Sequence, residues 1–252
     1  MEVTSERARF VLANGFAASH PDYRIRIDET VKADVGLRSG NIPIELDPRP
    51  PHPLTRGPEA MRPETIELLP SGGVAQPHLK PWRMTSAILG PAELQPVPMS
   101  ANDRELLNLH DPKHRLNALI VVWLSEPTAE EAVNFWLREG IDVAIFTEPN
   151  AARVPVSWDA SFCGDRALPC PKDQLMSASE GFKSWVSSLR NDDATLLNGI
   201  GLDLTDLRNR AKSGKMHGFI ATAELEEIKF LSRRSQVKSI QLVSIDLADA
   251  RD

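Results

Sequence analysis

Branched apolar residues follow one another with almost no polar break along LNALIVVWL, Leu116 to Leu124, the pattern of a short strand covered on both faces. The period changes in SEPTAEEAVNFWLREG. Thr128 and Glu131 have the T-x-x-E spacing of a capping box, and Ala132, Val133, Phe135, Trp136 and Leu137 supply an apolar side. Gly140 can take the left-handed conformation that closes a helix. IDVAIF, Ile141 to Phe146, then reads as a second strand, which completes a β–α–β unit of about 30 residues. The same order returns near the C-terminus. KMHGFIA reads as a strand, Thr222 stands where a helix cap is needed, and AELEEIKFLSRRS carries Leu225, Ile228 and Leu231 on one stripe. Glu224, Glu226 and Glu227 near its start and Arg233 and Arg234 at its end complement the helix macrodipole. VKSIQLVSI, Val237 to Ile245, is the closing strand.

Two such units predict an α+β fold, a ferredoxin-like βαββαβ sandwich over residues 113–252 in which Leu116–Leu124 and Val237–Ile245 share one sheet. The stretch between them, about 147–213, is too long for a plain connection and predicts a helical insertion. DQLMSASEGFKSWVSSLR, with Asp173 as its cap and Phe182, Trp185, Val186 and Leu189 on its buried face, is one helix, and DLTDLRNRAK is the other. Ahead of this domain, residues 1–42 read as a helix over TSERARFVLANGF, with Thr4 as a cap, followed by an edge strand in YRIRIDETV. Arg24 and Arg26 fall on one face of that strand, and Ile25 and Ile27 on the other.

Proline changes the picture for residues 43–112, because 13 of the chain's 20 prolines fall between Pro43 and Pro98. Each fixes its own φ and removes a donor, so IELDPRPPHPLTRGP and QPHLKPW are extended rather than helical. Ile66, Leu68, Leu69, Leu79, Trp82, Met84, Ile88 and Leu89 are too apolar for a solvated tether and predict an arm packed along a surface of this chain or of a partner. The net charge of −6 gives no field for phosphate-driven binding, so no nucleic-acid partner is expected, and SRRS at 232–235 is too short a basic stripe to change that. No run approaches the ~18 apolar residues of a membrane helix, and MEVTSERARF lacks the apolar run of a signal peptide. The expectation is a cytoplasmic protein without membrane contact.

Candidate chemistry is sparse. His110, Asp111 and His114 in HDPKH put two imidazoles four residues apart, which suits a shared metal on a helix, but Pro112 disturbs that geometry and a polar turn is the competing reading. His20, His52, His78 and His217 are isolated along the chain. Cys163 and Cys170 lie in one proline-flanked loop, where free thiols, a local disulfide and a nucleophilic Cys163 remain open. The acidic pairs Glu130–Glu131 and Asp192–Asp193 read as solvated faces. G-x-S-x-G, GxxxxGK[ST] and a complete dinucleotide fingerprint are absent, so no cofactor is expected.

MHGFIATAELEEIKFLSRRSQVKSIQL resembles the closing half of the subtilisin propeptide family, the I9-type peptidase inhibitors. Gly218, Phe219, Ala221, Glu224, Leu225, Leu231, Val237 and Ile240 stand at the positions that carry the likeness. The earlier unit around ALIVVWL is similar to that family's opening half. The resemblance implies the sandwich fold first, because every matched position is a core or turn position. It further implies docking of the sheet on a subtilisin-like serine protease, as inhibitor or folding chaperone, with the tail after Ile245 in the substrate cleft. Taken together, the sequence points to a non-catalytic protein-binding module, an assembly or regulatory subunit that contacts itself or another protein through the sheet or the proline-rich arm. The alternative is an enzyme with its site near His110 and His114 or Cys163.

Overall fold

A computed structural model of the chain describes residues 5–26, 34–35, 40–49, 62–71, 73–77, 79, 83–89, 116–149, 154–161 and 176–247. They form an α+β structure around two antiparallel sheets. Helix α1 (Ser5–Ser19) leads into the first sheet, built from β1 (Tyr23–Arg26), β2 (Asp34–Val35), β3 (Gly40–Pro48), β4 (Arg62–Leu68) and β5 (Val74–Ala75). Its order is β1-β3-β4-β5, with β2 also on β3. Alternation in β3 is regular, with Ile42, Ile44 and Leu46 buried and Asn41, Pro43 and Glu45 more open. Among the described residues β2 pairs with Gly40 and Asn41 and β1 with Glu45 to Pro48, which leaves that edge of β3 without a ladder at Pro43.

The proline-rich region thus supplies paired strands, and it departs from the extended expectation at α2 (Arg83–Leu89). Ile42, Ile44, Leu46 and Ile66 lie in the same buried cluster as Ile120, Val122 and Phe219, so these strands pack within the chain. β1 is an edge strand with Ile25 buried and Arg24 exposed, as the alternation predicts.

The second sheet has the order β10-β6-β9-β7-β8, formed by β6 (Leu116–Ala129), β7 (Val143–Ile145), β8 (Ser157–Asp159), β9 (Lys215–Glu224) and β10 (Val237–Leu247). β10 and β9 flank β6, both antiparallel to it, which brings Leu116–Leu124 and Val237–Ile245 side by side. The unbroken apolar run of β6 has its cause here. Ile120, Val122 and Leu124 enter the large cluster, while Val121 and Trp123 enter a second one with Val143, Ile145, Ile220 and Val243 that Met84 and Ile88 of α2 cover. Gly218 lets the Trp123 ring lie close: a Cβ there would stand 2.4 Å from the Val122 carbonyl oxygen and 3.0 Å from the indole.

Three local expectations are corrected. The helix expected from Thr128 does not form. β6 continues to Ala129, and the chain then makes two 3₁₀ turns, Glu130–Ala132 and Asn134–Trp136. Thr128 Oγ1 donates to the Glu126 carbonyl instead of capping, and Asn134 Oδ1 accepts the Ile141 amide, which closes the loop after the 3₁₀ turns. Thr222 lies within β9 and holds Asp142; the cap of α6 (Leu225–Ser232) is Glu224, in a box with Glu227. Asp173 lies outside the described residues, and Ser177 with Glu180 caps α3 (Ala178–Ser188).

The insertion carries α3, α4 (Ala194–Gly199), α5 (Leu204–Ser213) and strand β8. Phe182, Trp185, Val186 and Leu189 are buried as the α3 pattern predicts. Trp158 stacks on Trp185 at 5.2 Å and Phe146 on Phe182 at 4.3 Å, so these aromatics are core.

Candidate functional site

His110, Asp111 and His114, and likewise Cys163 and Cys170, lie outside the described residues, as do His52 and His78. Among the described residues no three His, Cys, Asp or Glu side chains are grouped to hold a metal, and no helix is long and apolar enough to cross a membrane.

The two described histidines are held by the fold. His20 follows α1, stacks on Phe16 at 3.8 Å, and has Nδ1 3.0 Å from the Phe16 carbonyl and 2.9 Å from the Ser19 hydroxyl. Burial pushes its pKa below the ordinary imidazole value, against smaller upward pulls from the Phe16 carbonyl and Asp22. Ser19, His20 and Asp22 are chemically a nucleophile, a base and an acid, but their geometry serves packing. The buried Ser19 hydroxyl donates to the Gly15 and Phe16 carbonyls, and the Asp22 carboxylate accepts the Met84 and Thr85 amides at the start of α2. His217, half-buried on β9, is likewise lowered by desolvation, with Glu148 pulling upward and Arg210 downward.

The expectation that both acidic pairs are solvated is corrected for one member of each. Glu130 is buried, and its carboxylate accepts the Ala178 and Ser179 amides at 3.1 and 2.7 Å, next to the positive end of α3. Asp193 is buried in an ion pair with Arg7 and also accepts the Arg190 amide. Glu131 and Asp192 are exposed, as expected.

Charge is concentrated where the two sheets meet. Arg49 follows β3 and pairs with Asp159 at the end of β8, with side chains only 6% and 14% exposed. Its amide donates to the Asp22 carbonyl at 2.6 Å. Burial lowers the Arg49 pKa to about 9, helped by the Arg24 charge and opposed by Asp142 and Asp47, so the guanidinium stays charged at neutral pH. With Asp159 Oδ1 taken by the Ser161 amide and hydroxyl, this arrangement ties the segments together.

The feature that packing leaves unexplained lies elsewhere, beside the first crossover. Phe135 is 72% exposed and Phe230, on α6, is 49% exposed. Between them the guanidinium of Arg234 lies 4.3 Å from the Phe230 ring, 4.6 Å from Trp136 and 5.9 Å from Phe135. Trp136 is buried beneath, edge-on to Phe135 at 6.4 Å. Trp136 Nε1 and Arg234 Nε are buried and have no hydrogen-bond partner among the described residues. The site is therefore an exposed aromatic rim over a Trp–Arg floor.

Sequence reasoning placed Phe135 on the buried side of a helix and read SRRS only as a weak basic stripe. The signal that could have found the patch was Phe230, an aromatic off the Leu225–Ile228–Leu231 stripe, four residues before an arginine. Comparison with family models, with curated proteins and with solved structures gives no match to this chain.

Proposed function

We propose that this chain is a non-catalytic protein-binding module, an assembly or regulatory subunit, and that Phe135, Trp136, Phe230 and Arg234 are its contact surface. The observation that carries the reading is the exposure of two phenylalanines around one guanidinium. Burying what remains exposed of the two rings against a partner, 72% of Phe135 and 49% of Phe230, is worth about 1–2 kcal/mol each, which gives the solvent-facing arrangement a direct driving force for association. We further propose that the second sheet is ferredoxin-like in its strand order, with two 3₁₀ turns in place of the first crossover helix. Numbered as β6, β7, β9 and β10, its strands have the order 4-1-3-2 with neighbours antiparallel, and this supports the reading, with β8 added at the edge and α6 as the second crossover.

The test is affinity capture from the native host with the wild-type chain and the Phe135→Ser/Phe230→Ser double variant, alongside light scattering for self-association. A defined protein, or a second copy, held by the wild type and lost by the variant is the expected result. Equal retention by both would overturn the assignment of the surface.

A further inference from the structure

We infer that the surface around Arg234 takes a peptide segment of a partner that presents a carboxylate flanked by apolar side chains. This inference rests on the contact surface proposed above and names its ligand class. Two cations of this region, Lys229 and Arg138, have acidic partners. Lys229 Nζ lies 2.9 Å from Glu226 and Arg138 4.0 Å from Glu224. Arg234 differs. Among the described residues its guanidinium has three aromatic rings about it and no carboxylate, and its Nε is buried without an acceptor. Its backbone amide donates to the Leu231 carbonyl at the end of α6, where the helix supplies only a partial negative charge.

Cation–π contacts hold the guanidinium plane without using its in-plane donors, because the rings meet it through their π faces. A planar fork fixed in this way, and desolvated on one side, is preorganised for bidentate pairing with a carboxylate. The rings that fix it then contact whatever apolar side chains flank that carboxylate. An all-apolar segment would leave the cation unpaired in a newly dry interface, and a basic segment would meet like charge.

The experiment selects a displayed library of random dodecapeptides on the wild-type chain, with the Phe135→Ser/Phe230→Ser and Arg234→Gln variants as counter-targets and circular dichroism to check folding. The expected result is enrichment of peptides with Asp or Glu beside aliphatic or aromatic residues. Synthetic peptides from that pool should lose about tenfold or more in affinity on Arg234→Gln. Their binding to the wild type should weaken as salt rises, a readout that needs no variant to fold. Enriched apolar peptides that lack acids, depend on the two phenylalanines and ignore salt would overturn this inference and leave the contact surface standing. No enrichment over the double variant would overturn both.

Discussion

Replacing Arg49 by Met tests whether the buried ion pair is a true coupling between the first sheet and β8. Asp159 would keep the two hydrogen bonds from Ser161 to Oδ1 but lose the cation at Oδ2, so the cost falls near the lower end of the range for breaking a buried pair, about 3 kcal/mol. Asp159→Leu is harsher. It leaves a guanidinium that is 6% exposed and already has an unpartnered Nε, and about 4–5 kcal/mol is expected. The double variant Arg49→Met/Asp159→Leu removes both charges together, frees only the exposed Ser161, and should cost about 1–2 kcal/mol. The cycle therefore predicts a coupling of about 5 kcal/mol or more. Urea unfolding of the four proteins measures it, provided m stays constant, and Tm should fall by roughly 6–12 °C for Arg49→Met. Additive single effects, with the double variant as unstable as their sum, would refute the claim that the two charges hold each other.

Gly218→Ala should destabilise by about 1–3 kcal/mol, read from thermal melts, because the added methyl meets the Val122 carbonyl before the Trp123 ring can move aside. Since burial lowers the His20 pKa, the unfolded chain takes up a proton near its ordinary value of 6.5 that the folded chain resists; stability should be full above that pH and decline below it. His20→Asn should flatten that acid limb in urea titrations at pH 5 and 7.5, and an unchanged slope would exclude His20 as its source. The resemblance to subtilisin propeptides implies docking through the sheet, and α2 covers one sheet face. If that docking occurs, Met84→Asp/Ile88→Asp should inhibit a subtilisin-like protease more strongly than the wild type does. Equal peptide hydrolysis with both proteins at micromolar concentration would end that reading.

Much of the second sheet was legible because its strands and α6 declare themselves through burial. A strand covered on both faces needs an unbroken run, as in Leu116–Leu124, and a half-buried helix needs the Leu225–Ile228–Leu231 stripe. The first crossover was misread for a physical reason. A capping box states what a helix start would use if a helix formed, but the Thr128 hydroxyl had a nearer acceptor at Glu126 and Glu130 found the amides of α3, 48 residues along the chain. Long-range acceptors of that kind leave no mark on local spacing. The proline-rich strands were obscured similarly, since a proline in a strand is costly only where a ladder needs its donor, and long-range pairing of β3 with β1, β2 and β4 decides that. The exposed aromatic patch was hidden because Phe135 is indistinguishable in type from its buried neighbour Trp136; only the turn that replaced the helix sends one outward and the other in.

The covering of the second sheet also decides where a partner can bind at low cost. Val121, Trp123, Val143, Ile145, Ile220 and Val243 would make a broad apolar face, but each is buried and Met84 and Ile88 lie in their cluster. Exposing those two side chains to clear the face costs about 3–6 kcal/mol by area, a hundredfold to ten-thousandfold in affinity that any sheet-docking partner would have to recover. The Asp22 carboxylate adds to that cost, because it accepts the Met84 and Thr85 amides and would lose both bonds if α2 left. No such displacement precedes contact at Phe135 and Phe230, whose rings already face solvent. On equal contact area a partner would therefore gain more from the aromatic rim than from the sheet, and on the proposed reading the sheet would serve to hold β9, α6 and the first crossover in place around Arg234.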